Sequence, residues 1–339
     1  MNINIQKYSV ALVTTFESKK NSSAVAREIG VHQSTTSRFL DKINFDDIKL
    51  EPMVKCLFGN KKLTFIIDES VLIRLYSENT EGISSMVDHS TKSFANGCKI
   101  VLGGLTDGSL FLPIYVEQWI AQFILGNGYQ KMTDIAKKLI LKVMSLDLNI
   151  KAVVMDGLYF SKEFLHWLCE KKVNFVIKAK TTTSVYFKGT KMQLKNCGAL
   201  RLNSNQNAKT IAADWDGKQW NFTAMRRNGK RGPKIIYLIS NFVAKSKKYA
   251  KIYNSRWTIE KCFRTAKQSL GLKSSCSQFA HIYLNHIKCV FYAYALMQLV
   301  IKKFKLKSTE EAIRKTQALK KRYGLKETIV KISFVENYA

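Results

Sequence analysis

Three rhythms of apolar and polar positions succeed one another along the chain. From about Lys7 to Ile43, short apolar clusters at helical spacing predict three short helices. Ser22-Ser23 offers a cap, Ala24 to Ile29 a short helix and Gly30 a turn, after which Ser34 caps the segment Thr35 to Leu40. Val25, Ile29, Val31 and Phe39 fall where a helix-turn-helix needs its small core. Ala26 sits where the two helices approach, and Gly30 where the turn needs a permissive backbone. The last helix presents Gln33, Ser34, Thr35, Ser37 and Arg38. That face suits either a recognition helix or an ordinary helical hairpin.

After a linker containing Pro52 and Gly59, the rhythm changes to strands and helices. Lys62 to Ile67 predicts an apolar strand ending in Asp68. Cys98 to Leu105 and Ser109 to Val116 predict the next two, joined by a turn at Asp107-Gly108. The Ser- and Glu-rich loop between Asp68 and the second strand matches no motif. A helix is expected from about Tyr129 to Leu146, with Ile135, Leu139, Ile140 and Val143 on its apolar face. Lys151 to Met155 is a buried strand running into Asp156-Gly157, Ser161 to Lys171 a helix, and Val173 to Ala179 a fifth strand. The sum is a three-strand meander followed by an α/β crossover.

From Thr181 to about Pro233 short alternating runs predict a β-rich insertion, with turns at Asp216-Gly217 and Asn228-Gly229. Its basic hairpin carries Arg226, Arg227, Lys230 and Arg231. Ile235 to Ile239 reads as a strand rejoining the main sheet. One long helix is then expected from Ser246 or Lys247 to Leu270, ended by Gly271. The remainder is helical and basic. The expected organisation is an N-terminal helical unit over residues 1–58, an α/β unit over 59–275 with its insertion at about 181–233, and a basic helical region over 276–339.

Composition adds one strong fact. The chain of 339 residues carries 55 Lys and Arg against 25 Asp and Glu, a formal net charge of +30. Such a surplus costs self-repulsion, and nucleic acid is the usual polyanion that offsets it. The charge favours DNA binding for the N-terminal helices, with Gln33 and Arg38 as candidate contacts. Nothing basic on one face and aromatic on the other suggests a membrane surface. The apolar run Cys289 to Ile301 is shorter than the roughly 20 residues a bilayer needs and reads as a buried helix. Lys7 is not followed by an unbroken apolar core, so no secretory signal is read at the start. Seven cysteines, none in C-x-x-C, suggest neither a disulfide framework nor a zinc knuckle. Cys276, His281, His286 and Cys289 are spaced so as to spread around a helix. The expectation is a soluble cytoplasmic protein associated with the nucleoid, without a membrane partner.

The candidate chemistry rests on three carboxylates. Asp68 and Asp156 stand at the ends of apolar strands, where α/β sheets place ligands; each either caps the next turn or holds a cation. On the long helix, Tyr253, Arg256, Glu260 and Lys267 stand at offsets 0, 3, 7 and 14. On a regular helix these fall within an arc of roughly 60°, in a stripe about 21 Å long. By geometry alone the stripe is either a solvated face with an Arg256–Glu260 ion pair or part of a site.

The segment from Tyr253 to Lys267 resembles the Y-x2-R-x3-E-x6-K motif of the insertion-sequence-four family of bacterial cut-and-paste transposases. Every motif position is filled, and the Arg256-Trp257-x-Ile259-Glu260 core also matches. The β-rich insertion and the Asp156-Gly157 pair resemble family features too. The resemblance covers about Lys62 to Leu270. It implies an α/β fold with a ribonuclease-H-like mixed sheet flanked by helices, interrupted by a β-rich insertion. The helix-turn-helix lies outside it and rests on its own pattern.

By that resemblance, Asp68, Asp156 and Glu260 form the catalytic triad and hold two Mg²⁺ ions per active site, with Mn²⁺ able to substitute. It casts Tyr253, Arg256 and Lys267 as ligands of DNA phosphates. The implied partners are double-stranded DNA, as terminal inverted repeats and target, and a second copy of the chain in a homodimer. A DNA hairpin intermediate is also implied. Trp257 lies either near DNA bases or in the core. Two other readings remain: a transposase-derived DNA-binding regulator without catalysis, and a metal-dependent endonuclease that cleaves without joining.

Overall fold

The computed structural model describes residues 3–48, 50–74, 79–88, 91, 93–229 and 232–333, without the side chains at 47, 88 and 127. Lys230 and Arg231 of the expected basic hairpin, and part of the Ser- and Glu-rich loop, lie outside the described residues. The chain opens with three helices, α1 (Ile5–Thr14), α2 (Ser22–Ile29) and α3 (Gln33–Lys42), followed by α4 (Glu51–Phe58). The strands that come next are β1 (Leu63–Ile73), β2 (Ser84–Asp88), β3 (Ser93–Thr106) and β4 (Phe111–Trp119). A short α5 (Gln122–Leu125) and α6 (Met132–Met144) lead to β5 (Ile150–Met155), α7 (Lys162–Glu170) and β6 (Phe175–Ala179). Then come β7 (Ser184–Phe187), β8 (Thr190–Gln193), β9 (Ala208–Trp215), β10 (Lys218–Gly229) and β11 (Gly232–Ser240). The chain closes with α8 (Ser246–Asn254), α9 (Trp257–Ser269), α10 (Ala280–Phe304) and α11 (Thr309–Ile332).

All the described strands belong to one mixed sheet. β3 is antiparallel to β1 and β4 to β3, whereas β5 is parallel to β1 and β6 to β5. The resulting order β4-β3-β1-β5-β6, flanked by helices, is consistent with the ribonuclease-H-like arrangement expected. The β-rich insertion is not a detached unit: β11 pairs with β6, and β10, β9, β7 and β8 continue the sheet outward. Phe65 packs between Gly103 and the α6 side of the sheet, where a side chain at 103 would meet Phe65 at 2.7 Å and Leu139 at 3.5 Å. Phe111 meets Tyr294 of α10 on the opposite side, at 6.5 Å between ring centroids. Strand alternation thus assigns the α6 face to the odd positions of β1 and the α9–α10 face to the even ones.

Three regions of the α/β part differ from the sequence reading. β1 does not stop at Asp68 but runs five residues further, because Glu69 to Ile73 keep pairing with β3 down to Ile73 opposite Gly97. The polar Glu69 and Ser70 resemble a strand end, yet Ser70 and Leu72 are buried and the alternation continues. β3 is accordingly longer than the apolar run, and β2, whose Ser-rich sequence hides it, pairs with its first half.

The third difference is the long helix, which divides into α8 and α9. Around the junction the amides of Ser255, Arg256, Thr258 and Ile259 bond three residues back, at 3.2, 3.0, 3.0 and 3.1 Å. The hydroxyls of Ser255 and Thr258 also bind the carbonyls of Ile252 and Ser255. Such side-chain bonds compete with the regular ladder and tighten the turn locally.

The N-terminal helices start one or two residues earlier than read. Asn21, not Ser22 or Ser23, caps α2 by accepting from the Ala24 amide, and His32 caps α3 in place of Ser34. Gly30 closes α2 at φ +76°, as its turn requires. α1 lies against α10 and α11, with Ser9 donating to the Cys289 carbonyl, and α3 meets α10 where Asn285 donates to the Leu40 carbonyl. α10 extends the apolar run at both ends. By length and composition it could cross a membrane, but it is mostly buried inside the protein as a core helix.

Candidate active site

Asp68 is an even position of β1 and therefore faces α9. It is 8% exposed, and the Arg256 guanidinium meets it with Nη1 at 2.5 Å from Oδ2. The other terminal nitrogen of Arg256, Nη2, donates to Oε1 of Glu260, one turn further along α9. Two carboxylates 192 positions apart in the chain therefore share one cation. Arg256 itself is 9% exposed, and the surrounding acids push its pKa further up although burial opposes this. Arg227 near the tip of β10 approaches the same Glu260 oxygen at 3.7 Å.

Asp156 follows β5, the strand next to β1. Its Oδ1 accepts the Gly157 amide at 2.6 Å and lies 3.5 Å from Nζ of Lys178 on β6. A side chain at Gly157 would press on the Lys178 carbonyl at 3.3 Å, so the turn after Asp156 runs close to the neighbouring strand. The two aspartates differ electrically. Burial raises the Asp68 carboxyl to about 7, with Glu69, Asp156 and Glu260 adding to the rise and Arg256 opposing it. Burial acts on Asp156 too, but the Gly157 amide, Arg256 and Lys178 outweigh it and hold the carboxyl below its ordinary value.

Tyr253 ends α8 beside this cluster. It is buried, its hydroxyl has no hydrogen-bond partner among the described residues, and burial pushes its pKa up to about 12. The phenol therefore keeps its proton at neutral pH and can donate a hydrogen bond. Lys267 is half-buried two turns beyond Glu260, and its ammonium donates to the Val71 carbonyl of β1 at 3.3 Å. All four residues of the stripe thus lie on the α9 side of β1, in spite of the break at Ser255. Trp257, by contrast, is a surface residue at 43% exposure, with Arg264 over its ring at 5.5 Å; it does not join the core. Gln33 and Arg38 are exposed on α3.

The donor chemistry suits a hard divalent cation, since three carboxylates offer only oxygen ligands. The spacing adds a condition. Among the described residues no three His, Cys, Asp or Glu side chains are grouped closely enough to hold one ion. Arg256 lies between two of the carboxylates, while Asp156 leans toward Gly157 and Lys178.

Beside Arg256, a cavity of about 390 Å³ is lined by Arg227, Asn228, Tyr253, Asn254, Arg256 and Trp257. Its two guanidiniums, phenol and carboxamides are hydrogen-bond donors suited to a phosphate backbone. The individual parts of Arg227 and Lys178 were not read from the sequence. The signal for Lys178 is register alone: Met155 pairs with Ile177, which sets the next residues, Asp156 and Lys178, side by side.

A family model described as a transposase DDE domain matches residues 122–296. That span contains Asp156, Tyr253, Arg256, Trp257, Glu260 and Lys267, while Asp68 precedes it. No curated protein sequence matches the chain. Among solved structures, the crystal structure of the NurA nuclease from Sulfolobus solfataricus aligns with a TM-score of 0.33 and 10% identity. The alignment covers 76% of this chain and 91% of that one, and it is too loose to carry an argument.

Proposed function

The chain belongs to the transposase DDE domain family, and on that premise we propose a cut-and-paste DNA transposase whose catalytic centre is Asp68, Asp156 and Glu260. The observation that carries the reading is the Arg256 guanidinium shared by Asp68 and Glu260, with Asp156 on the adjacent strand. Carboxylates crowded this way in a partly buried site require cationic compensation. In this reading the three acids hold two Mg²⁺ or Mn²⁺ ions. Those ions would supply an activated oxygen nucleophile and stabilise the leaving oxygen of a phosphodiester.

The protein's own groups do the rest. Tyr253 donates its unpartnered hydroxyl to a phosphate oxygen, and Arg227 and Lys178 fix the backbone near the cut. Lys267 contributes a point charge further along the strand. The helices of residues 1–58 act as a helix-turn-helix, with Gln33 and Arg38 toward the duplex. Trp257 is exposed and available to bases. The filled motif from Tyr253 to Lys267 supports a place in the insertion-sequence-four group. It acts in the cytoplasm on terminal inverted repeats and target DNA, as a homodimer on paired ends.

The test is purified protein with linear DNA carrying candidate terminal repeats, with Mg²⁺ or with chelator. Metal-dependent strand transfer is expected. Cleavage without joining makes the protein an endonuclease, and a mobility shift with no chemistry makes it a regulator. Asp68→Asn and Glu260→Gln are each expected to abolish cleavage and to leave duplex binding nearly intact. Near-normal turnover in either variant removes these residues from the centre.

A further inference from the structure

We propose that Arg256 is a gate on the metal centre: its guanidinium and a divalent cation compete for Asp68 and Glu260, and a DNA phosphate draws the guanidinium away. The inference rests on the reading of these acids as the metal ligands. It starts from a contact with two sides. On one side Arg256 bonds Oδ2 of Asp68 at 2.5 Å and Oε1 of Glu260. On the other it lines the cavity formed with Arg227, Asn228, Tyr253, Asn254 and Trp257.

One long side chain can therefore reach either set of partners by rotation about its own bonds, with α9 fixed. The cavity is built to receive an anion. Arg227 brings a second guanidinium, and the buried Tyr253 hydroxyl has no partner among the described residues. A phosphate there gives Arg256 a partner equivalent to the carboxylates it leaves.

Charge balance explains why the exchange has a direction. While Arg256 spans Asp68 and Glu260, a divalent cation entering between them meets a fixed positive charge and oxygens already hydrogen-bonded. Once the guanidinium turns to a phosphate, those two acids, with Asp156 beside them, lack compensation, and a divalent ion supplies it. Metal and DNA therefore bind cooperatively, and by linkage each raises the affinity for the other by the same factor. The centre loads more readily where DNA is already seated.

The experiment measures metal binding instead of turnover. Mn²⁺ is titrated into the full-length protein and free Mn²⁺ is read by electron paramagnetic resonance, with and without a short duplex, the duplex alone being subtracted. For the wild type, the duplex is expected to tighten Mn²⁺ binding by about tenfold or more, a typical coupling between two sites. Arg256→Met is expected to bind Mn²⁺ about tenfold tighter than wild type without DNA, and to lose most of the enhancement by DNA. Arg256→Lys, whose ammonium cannot span both carboxylates in a fork, is expected to lie between them. It carries the test if the Met variant does not fold.

Mn²⁺ affinity unchanged or weakened in Arg256→Met, or an equal DNA enhancement in variant and wild type, overturns the gate. Asp68→Asn in the same titration separates the two levels. If it binds Mn²⁺ as well as wild type, the assignment of the ligands has failed, whatever Arg256 does.

Discussion

Asp68 and Glu69 are adjacent in sequence, yet strand alternation turns Asp68 toward Arg256 and Glu69 toward the face that carries Lys99. Asp68 is a buried acid whose desolvation outweighs its ion pair, so its carboxyl titrates near 7 in the folded chain against an ordinary value of 3.8. Between those two values folding takes up a proton. That contribution to stability is complete below about pH 4 and is lost as the pH rises through about 7. In chelator, Asp68→Asn should therefore gain stability over wild type across this range, by on the order of a few kcal/mol at its upper end. Thermal melting at a series of pH values checks this, and parallel curves for the two proteins would refute it. A buried acid kept at a cost in stability is what the proposed role of Asp68 as a metal ligand would entail. The motif from Tyr253 to Lys267 was legible in the sequence because a helix converts spacing into a shared face. The Asp68–Arg256 contact was not, because it spans 188 positions and depends on how a strand and a helix pack.

Helix α9 is held at its far end by a close contact. Gly271 follows it at φ +78°, and a side chain there would lie 2.6 Å from the Lys20 side chain and 2.7 Å from the Lys20 carbonyl oxygen. The Gly271 carbonyl accepts Nε2–H of His286, which fixes the tautomer, so Nδ1 accepts the Tyr8 hydroxyl at 3.0 Å. The end of the helix that carries Glu260 and Lys267 is thereby tied to α1 and α10. Gly271→Ala should destabilise the protein by at least about 1 kcal/mol through both backbone strain and the clash with Lys20. Gly30→Ala is the control, since Gly30 has a similar φ of +76° and open space around it. Denaturant midpoints compare the two, and equal losses would leave strain as the whole effect. The sequence signalled Gly271 as a helix end but not what it abuts. The same limit hid the break at Ser255 and the strand β2: hydroxyls that bond backwards and a strand made mostly of polar residues leave no apolar rhythm to read.

At the scale of the molecule, the surplus of 30 positive charges survives internal pairing, because an ion pair removes a base together with its acid. Glu17 pairs with Arg27, Asp107 with Lys61, Asp216 with Lys162 and Glu28 with Lys320, while Asp68 and Glu260 share Arg256. The charge and the meander followed by an α/β crossover were legible from composition and rhythm, whereas the place of β5 beside β1 was not. That the N-terminal helices would pack on α10 and α11 was not, since nothing in either stretch names its partner. Gln33 and Arg38 are exposed on α3, one of the helices packed against this framework. Binding should then be dominated by release of counterions from the phosphates. Each neutralised phosphate contributes a slope of about −0.9 in log affinity against log salt, so four contacts give a loss of roughly a hundredfold for a fourfold rise in salt. Filter binding or fluorescence anisotropy across that range is expected to show at least this loss for an arbitrary duplex. Arg227→Ala, which removes one cation beside Glu260, should lower the slope by about one unit. A slope near zero would mean that the basic surplus does not meet phosphate, and the duplex would have to be held by another face of the protein.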